Sequence, residues 1–212
     1  ETEQFLIKFA ENPAEIEEAQ RLRFQIFNIE QGKGLNSALN SGIDSDEFDE
    51  HCLHLLVIDK AAGGSVVGTY RMHLGSVANL AKGFYSEREY DIEGLDSISD
   101  LSLELGRSCV SPDYRTGAVV ALLWGGIAEL MKRAQLRYML GCVSLEEISA
   151  DIGWALYKHF VLENKISKLL RAKPKTHYIL PKAAEKEISQ ILKNPKELLK
   201  HIPPLFKGYL RV

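Results

Sequence analysis

The chain has 212 residues, 45% hydrophobic and 26% charged, with a net charge of −3. That suffices for one sizeable core with an appendage, and the near-neutral balance gives no electrostatic footprint for nucleic acid. The longest uncharged stretch falls well short of the ~20 residues that span a membrane, and because the first residue is Glu1 rather than Met, a preceding targeting segment stays open.

In chain order, Gln4 to Phe9 alternates apolar and polar and reads as a strand. Asn12-Pro13-Ala14-Glu15 is a helix start: Asn12 to cap, Pro13 for the first turn, Glu15 three after the cap. That helix is expected to reach about Asn28, with Ile16, Ala19, Leu22, Arg23, Ile26 and Phe27 inward. A polar loop from Gln31 to Asp46 follows. Leu53 to Asp59 and Ser65 to Leu74 read as strands joined by the hairpin signal Ala61-Ala62-Gly63-Gly64. Val77 to Gly94 reads as irregular or a short helix, Ser102 to Val110 as a strand, Arg115 to Ala134 as a helix and Tyr138 to Val143 as a strand. A further helix is expected from Leu145-Glu146-Glu147 to about Leu162, then a basic segment with Lys165, Lys168, Arg171, Lys173 and Lys175, then helix over Pro181 to Lys200 broken at Pro195. The order predicts an α/β core over residues 1–162 with a mixed central β-sheet flanked by helices. Residues 163–212 form a basic linker and C-terminal helical extension, expected to pack on that core.

The richest stretch is Leu103 to Ala118. A strand carries Glu104 and Arg107, turns at Ser111-Pro112-Asp113, and feeds a helix opened by Gly117-Ala118. A strand leading into a glycine-led helix N-terminus suits a phosphate-bearing cofactor, because free backbone N–H groups point at the anion. Cys52, Cys109 and Cys142 are odd in number and set in apolar runs. They read as buried free thiols of a reducing compartment, and the lack of a Cys-x-x-Cys pair argues against a zinc site. His51 and His54 lie three apart, so on a strand they point to opposite faces and cannot share a metal ion.

Several segments together resemble one family. They are Arg21-Leu22-Arg23-Phe24-Gln25-Ile26-Phe27, Asp46-Glu47-Phe48-Asp49-Glu50-His51, Gly68-Thr69-Tyr70-Arg71 and Glu104-Leu105-Gly106-Arg107-Ser108-Cys109-Val110. Leu122-Leu123-Trp124-Gly125-Gly126-Ile127, Gly141-Cys142-Val143-Ser144-Leu145 and Pro204-Leu205-Phe206-Lys207-Gly208-Tyr209-Leu210-Arg211 complete the set. The chain resembles the bacterial ornithine N-acyltransferases of the GNAT superfamily, often labelled hemolysin-like, and more distantly the acyl-homoserine lactone synthases. That family continues past the last of these segments, so the chain reads as truncated there.

The resemblance implies a GNAT-like fold. It also implies transfer of a fatty acyl group, typically 3-hydroxyacyl, from acyl carrier protein to the α-amine of L-ornithine, giving lyso-ornithine lipid. No permanently bound cofactor is implied; the donor is the acyl-phosphopantetheine of the carrier protein, or acyl-CoA. Arg115-Thr116-Gly117-Ala118 is shorter than an acetyl-CoA loop, which suits a donor with one phosphodiester and no pyrophosphate.

By the same resemblance Glu104 matches the base proposed for the related synthases, against the plainer reading that it only pairs with Arg107 or Arg71. Arg23, Asp46, Asp49, Arg71 and Arg107 match a charged cluster that either grips the zwitterionic acceptor or ties the N-terminal helix to the sheet, the second holding for at least two of the five. Arg115, Thr116, Gly117 and Ala118 match the donor-phosphate site. Tyr157 matches the tyrosine that protonates the departing thiolate, and Ser144 would bond pantetheine or the acyl carbonyl. Lys132, Arg133, Arg137 and the Lys165–Lys175 run would dock acidic carrier protein or anionic lipid, placing a cytoplasmic enzyme peripherally at the inner membrane. The competing readings are a small-amine acetyltransferase using acetyl-CoA and a non-catalytic acyl-carrier or membrane-binding module.

Overall fold

The computed structural model describes residues 2–145 and 149–210. The chain forms two compact units, Glu1–Ser86 with Asp96–Gly141 and Glu87–Leu95 with Cys142–Val212. The strands are β1 (Phe5–Phe9), β2 (Leu53–Asp59), β3 (Ser65–Leu74), β4 (Tyr90–Glu93), β5 (Ser102–Val110), β6 (Tyr138–Leu140) and β7 (Arg171–Pro174). The helices are α1 (Pro13–Phe24), α2 (Gly75–Ala78), α3 (Ser86–Glu89), α4 (Ala118–Arg133), α5 (Ala150–Leu162), α6 (Glu185–Ile191), α7 (Pro195–Leu198) and α8 (Pro204–Tyr209).

The first unit is a mixed α/β layer structure around a five-stranded sheet in the order β1-β2-β3-β5-β6. Neighbours are antiparallel except for β5 and β6, which run parallel. The β2–β3 hairpin turns where the sequence places it, because Gly63 and Gly64 supply φ of +68° and +81°. α1 starts as expected: the Asn12 side chain accepts from the Glu15 N–H at 3.0 Å, and the Glu15 carboxylate accepts from the Glu11 N–H at 2.8 Å. Past Phe24 the helix widens into a single π turn, Gln25–Glu30.

The two faces of this sheet differ in chemistry. Cross-strand register puts Leu55 beside Tyr70 and Val57 beside Gly68 on one face. α4 packs there through Val119, Leu123 and Ile127, a buried stripe at four-residue spacing. Burying each of these side chains stabilises the fold by roughly 1.5–3 kcal/mol. The approach is close: a Cβ at Gly68 would lie 2.5 Å from Val119 Cγ1, and one at Gly126 would lie 2.8 Å from Leu55 Cδ2. The opposite face carries His54 beside Arg71 and His73 beside Glu104. This ionisable face positions the site.

The second unit has its own small core of Ala155, Leu156, Ile188, Leu198 and Ile202, built by α5, α6, α7 and the turn that follows. α5, expected within the N-terminal core, groups here. It begins at Ala150, where the Ser149 hydroxyl accepts from the Ile152 N–H at 3.3 Å, whereas the expected start at Leu145-Glu146-Glu147 runs into positions outside the described residues. β4 and β7 form a two-stranded antiparallel sheet, Tyr90 opposite Pro174 through Glu93 opposite Arg171. Among the described residues no helix is long and apolar enough to cross a membrane.

Candidate active site

Glu104 stands on β5 at the point where the sheet changes direction of pairing. It is 5% exposed. Its carboxylate accepts three hydrogen bonds, from the Tyr85 N–H at 2.7 Å, the Ser86 N–H at 2.7 Å and the Ser86 hydroxyl at 2.6 Å. Burial pushes the carboxyl above its ordinary range, and these donors together with the Arg71 charge offset only part of that push. The plainer sequence reading, a Glu104 ion pair with Arg71 or Arg107, is corrected here: both guanidiniums are taken by aspartates instead.

Two irregularities open the sheet beside Glu104. Thr69 pairs with Cys109 and Arg71 with Gly106, so Tyr70 alone faces both Arg107 and Ser108. This bulge puts Arg107 at φ +48°, a left-handed conformation that a non-glycine residue adopts only when its surroundings enforce it. On the other edge, the parallel ladder runs from Ser102 opposite Tyr138 to Glu104 opposite Leu140 and stops. A Cβ at Gly141 would sit 2.3 Å from the Leu105 carbonyl oxygen, so the strands touch there before parting. Among the described residues β5 continues to Val110 without a strand partner on that side. Its peptide groups are therefore available to an amide-bearing ligand, at the carboxyl ends of parallel strands where α/β sheets take ligands.

β5 then leads through the turn Pro112–Tyr114 to Gly117, at φ +96°, which starts α4. The first bond of the helical ladder joins the Ala121 N–H to the Gly117 carbonyl at 2.9 Å. The N–H groups of Ala118, Val119 and Val120 stand before that ladder, at the positive end of a sixteen-residue helix. Arg115 is adjacent but engaged: its guanidinium forms a two-pronged pair with Glu30 at 2.6 and 2.7 Å, and its Nε donates to the Val110 carbonyl at 3.1 Å. Both side chains of that pair are well exposed, so water competes for it and its exchange costs little.

The charged cluster assembles around Asp44, which sequence reasoning missed. Asp44 is fully buried; it accepts from Arg23 Nε at 2.8 Å and from Arg107, whose Nε is 3.0 Å away. Asp49 takes the other prongs of Arg23 at 2.7 and 3.0 Å and one of Arg71 at 3.2 Å. Arg71 also bonds Asp46. Against the cost of burial, Arg23 and Arg71 hold the Asp49 carboxyl down at about 2. Burial and the nearby Arg23 charge push Arg107 down to about 10, and its guanidinium lies over the Phe27 ring at 4.5 Å. Asp46 and Arg107 keep 18% and 19% of their side-chain surface, the others about 5% or less.

His54 turns Nε2 toward the Asp49 carbonyl at 3.2 Å, and His51 lies in a 3₁₀ turn before β2 rather than on the strand. No disulfide joins the cysteines among the described residues: Cys109 is buried, while Cys52 and Cys142 are half-buried. Burial pushes the Cys52 and Cys109 thiols up to about 12. Tyr157 and Ser144 belong to the second unit; Tyr157 is 51% exposed and meets Trp154 edge-on. Beyond Asp44, sequence reasoning also missed Tyr85 and Ser86, the partners of Glu104, and Glu30, the partner of Arg115. None carries a signal that separates it from an ordinary loop residue.

Residues 22–125 match the acetyltransferase (GNAT) domain family, a range that takes in β2, β3, the Glu104 strand β5 and the first half of α4. Fold and site thus define a GNAT-type acyltransferase. The chain is 37% identical over 217 residues to the L-ornithine N(alpha)-acyltransferase of Brucella abortus, covering 97% of this chain and 75% of that protein. It is 34% identical over 215 residues to the enzyme of the same name from Agrobacterium fabrum, covering 97% and 71%. A solved CoA-dependent acyl-homoserine lactone synthase is 15% identical, with a TM-score of 0.48 over 88% of this chain and 97% of that chain. The chain belongs to the L-ornithine N(alpha)-acyltransferase family.

Proposed function

We propose that this protein transfers a fatty acyl group from a thioester to the α-amine of L-ornithine, with acyl carrier protein as the donor. The observation that carries the reading is 37% identity to an L-ornithine N(alpha)-acyltransferase over 97% of the chain. Glu104 is the base. It takes one proton from the α-ammonium, the freed nitrogen lone pair attacks the thioester carbonyl, and the C–S bond breaks. The second proton lost by nitrogen ends on the departing sulfur, and Glu104 returns its proton to solvent. The elevated Glu104 carboxyl is suited to this, since a base matched to neutral pH must hold a proton better than a free glutamate does.

Ala118, the Gly117 turn, Thr116 and Arg115 receive the donor phosphate, Glu30 releasing Arg115 as it binds. In the acceptor site, Asp46 takes the distal ammonium of ornithine and Arg107 its carboxylate, being the two members of the cluster with solvent access. Arg23, Asp44 and Asp49 are scaffold, and Arg71 orients Asp46. Exposed Val161, Leu162, Ile166 and Leu169 interleave with Lys165, Lys168 and Arg171, a surface for the acidic carrier protein or for the anionic inner membrane.

The test offers hydroxyacyl carrier protein, long-chain acyl-CoA and acetyl-CoA in turn to a panel of amino acids, with products read by mass spectrometry. N-acylornithine formed fastest from the carrier protein is the expected result. Equal kcat/KM with acetyl-CoA, or acylation of neutral amino acids in preference to ornithine, would refute the reading.

A further inference from the structure

His73 lies opposite Glu104 in the β3–β5 register and is 2% exposed. Among the described residues neither of its ring nitrogens has a hydrogen-bond partner. The Phe48 and Phe84 rings meet the imidazole edge-on, with centroids 6.2 and 6.1 Å away. Its Nδ1 is 4.0 Å from Glu104 Oε2, beyond bonding distance. A buried polar group without a partner destabilises a fold, and a pocket walled by phenylalanine would hold an apolar ring with no such penalty. Packing therefore does not account for an imidazole at this position; a partner that exists only in another protonation state does.

The ionisable groups around His73 are Glu104 on β5, Arg71 on the same face of β3, and His51 and Cys52 just before β2; the flanking Phe48 and Phe84 add none. Burial above all, then Arg71 and His51, disfavour a positive charge on the ring and push the imidazole down to about 4, so the ring is neutral at pH 7. While Glu104 is ionised it is a pure acceptor that already receives three hydrogen bonds from Tyr85 and Ser86, and with the ring hydrogen on Nε2 the carboxylate has no hydrogen to offer Nδ1.

Resting on the reading of Glu104 as the base, we propose that His73 is a positioning residue whose Nδ1 accepts a hydrogen bond from Glu104 once that carboxylate has taken the substrate proton. An N–H bond of the ammonium breaks and an O–H bond forms on Glu104 Oε2. That O–H turns to donate to Nδ1, the ring keeping its own hydrogen on Nε2. No proton moves onto His73, and the carboxyl later returns its proton to solvent. The pairing favours the state in which the proton has arrived, so it raises the proton affinity of Glu104 and aids the attack.

The experiment compares wild type with His73→Phe, His73→Asn and His73→Gln, using 3-hydroxyacyl carrier protein and L-ornithine across pH. In His73→Phe, kcat should fall roughly 3- to 10-fold, the reach of one neutral hydrogen bond, with both KM values unchanged. The acidic limb of its pH–rate profile should move to lower pH, and its urea midpoint should match or exceed that of wild type. His73→Asn, whose side-chain oxygen can stand at the Nδ1 position, should restore rate and limb; His73→Gln, which mimics Nε2, should not. In a Glu104→Gln background, His73→Phe should cost nothing further. An unmoved limb in His73→Phe while Glu104→Gln is inactive overturns the proposal alone, whereas an active Glu104→Gln overturns the base reading beneath it. Should His73→Phe fail to fold, the Asn and Gln variants decide: equal limbs in the two overturn the proposal.

Discussion

Replacing Asp49 by Asn should separate scaffold from acceptor site. Asp49 is 6% exposed and accepts from Arg23 at 2.7 and 3.0 Å, from Arg71 at 3.2 Å and from the Asp46 N–H at 2.9 Å. Its carboxyl lies at about 2 against an ordinary 3.8. Because the folded value is depressed, the carboxylate stabilises the fold fully above the ordinary value, and this contribution disappears as pH falls through the folded one. The difference corresponds to about 2–3 kcal/mol at neutral pH. Asparagine also leaves Arg23 and Arg71 short of negative charge in the interior, and removing one partner of a buried pair typically costs about 3–5 kcal/mol. Asp49→Asn should therefore lower the unfolding free energy by about 3–5 kcal/mol, read from the urea midpoint at constant m-value, and should flatten the stability profile between pH 4 and 2. The ornithine KM of the folded fraction should be unchanged. A loss under about 1 kcal/mol combined with a tenfold rise in ornithine KM would refute the reasoning and make Asp49 an acceptor ligand.

Asp46→Asn should do the reverse, raising the ornithine KM roughly ten- to a hundredfold, the value of one charge-assisted contact, with donor KM constant in steady-state kinetics. Glu30→Gln should lower the donor KM, because it removes the carboxylate that competes with phosphate for Arg115; an unchanged KM would mean that Arg115 stays outside the donor site. Gly68→Val should destabilise by at least about 1–3 kcal/mol in thermal unfolding, since even a Cβ there would lie 2.5 Å from Val119 Cγ1.

What the sequence showed depended on how local the cause was. Asn12, Pro13 and Glu15 cap α1 through contacts within four residues, and Gly63-Gly64 sets the hairpin by its own backbone freedom. The Glu104 strand and the glycine before α4 were equally readable, because each rests on a short pattern. Non-local pairing was not readable. β4 and β7 are short, exposed and about eighty residues apart, so their pairing left no periodicity to follow. Asp44 looked like any acid in a polar loop until Arg23 and Arg107 met on it from opposite ends of the unit. Glu104 and the arginines Arg23 and Arg107 were recognised as candidates, but their partners, Tyr85 and Ser86 for the first and Asp44 for the other two, came from segments whose spacing signals nothing. The Arg107 bulge needs the β3 register to be seen at all.

The most direct test of the account is the turnover of Glu104→Gln. An amide there presents N–H groups where Tyr85 and Ser86 already donate, which should destabilise the fold by about 1–3 kcal/mol, so the urea midpoint is measured on the same preparation. With the folded fraction established, the account predicts a kcat lower by roughly 10²–10⁴-fold for transfer from hydroxyacyl carrier protein to L-ornithine, the usual reach of general-base catalysis. Donor binding should persist, and the acidic limb of the pH–rate profile should be lost. A folded Glu104→Gln enzyme that keeps a third or more of wild-type kcat would contradict it.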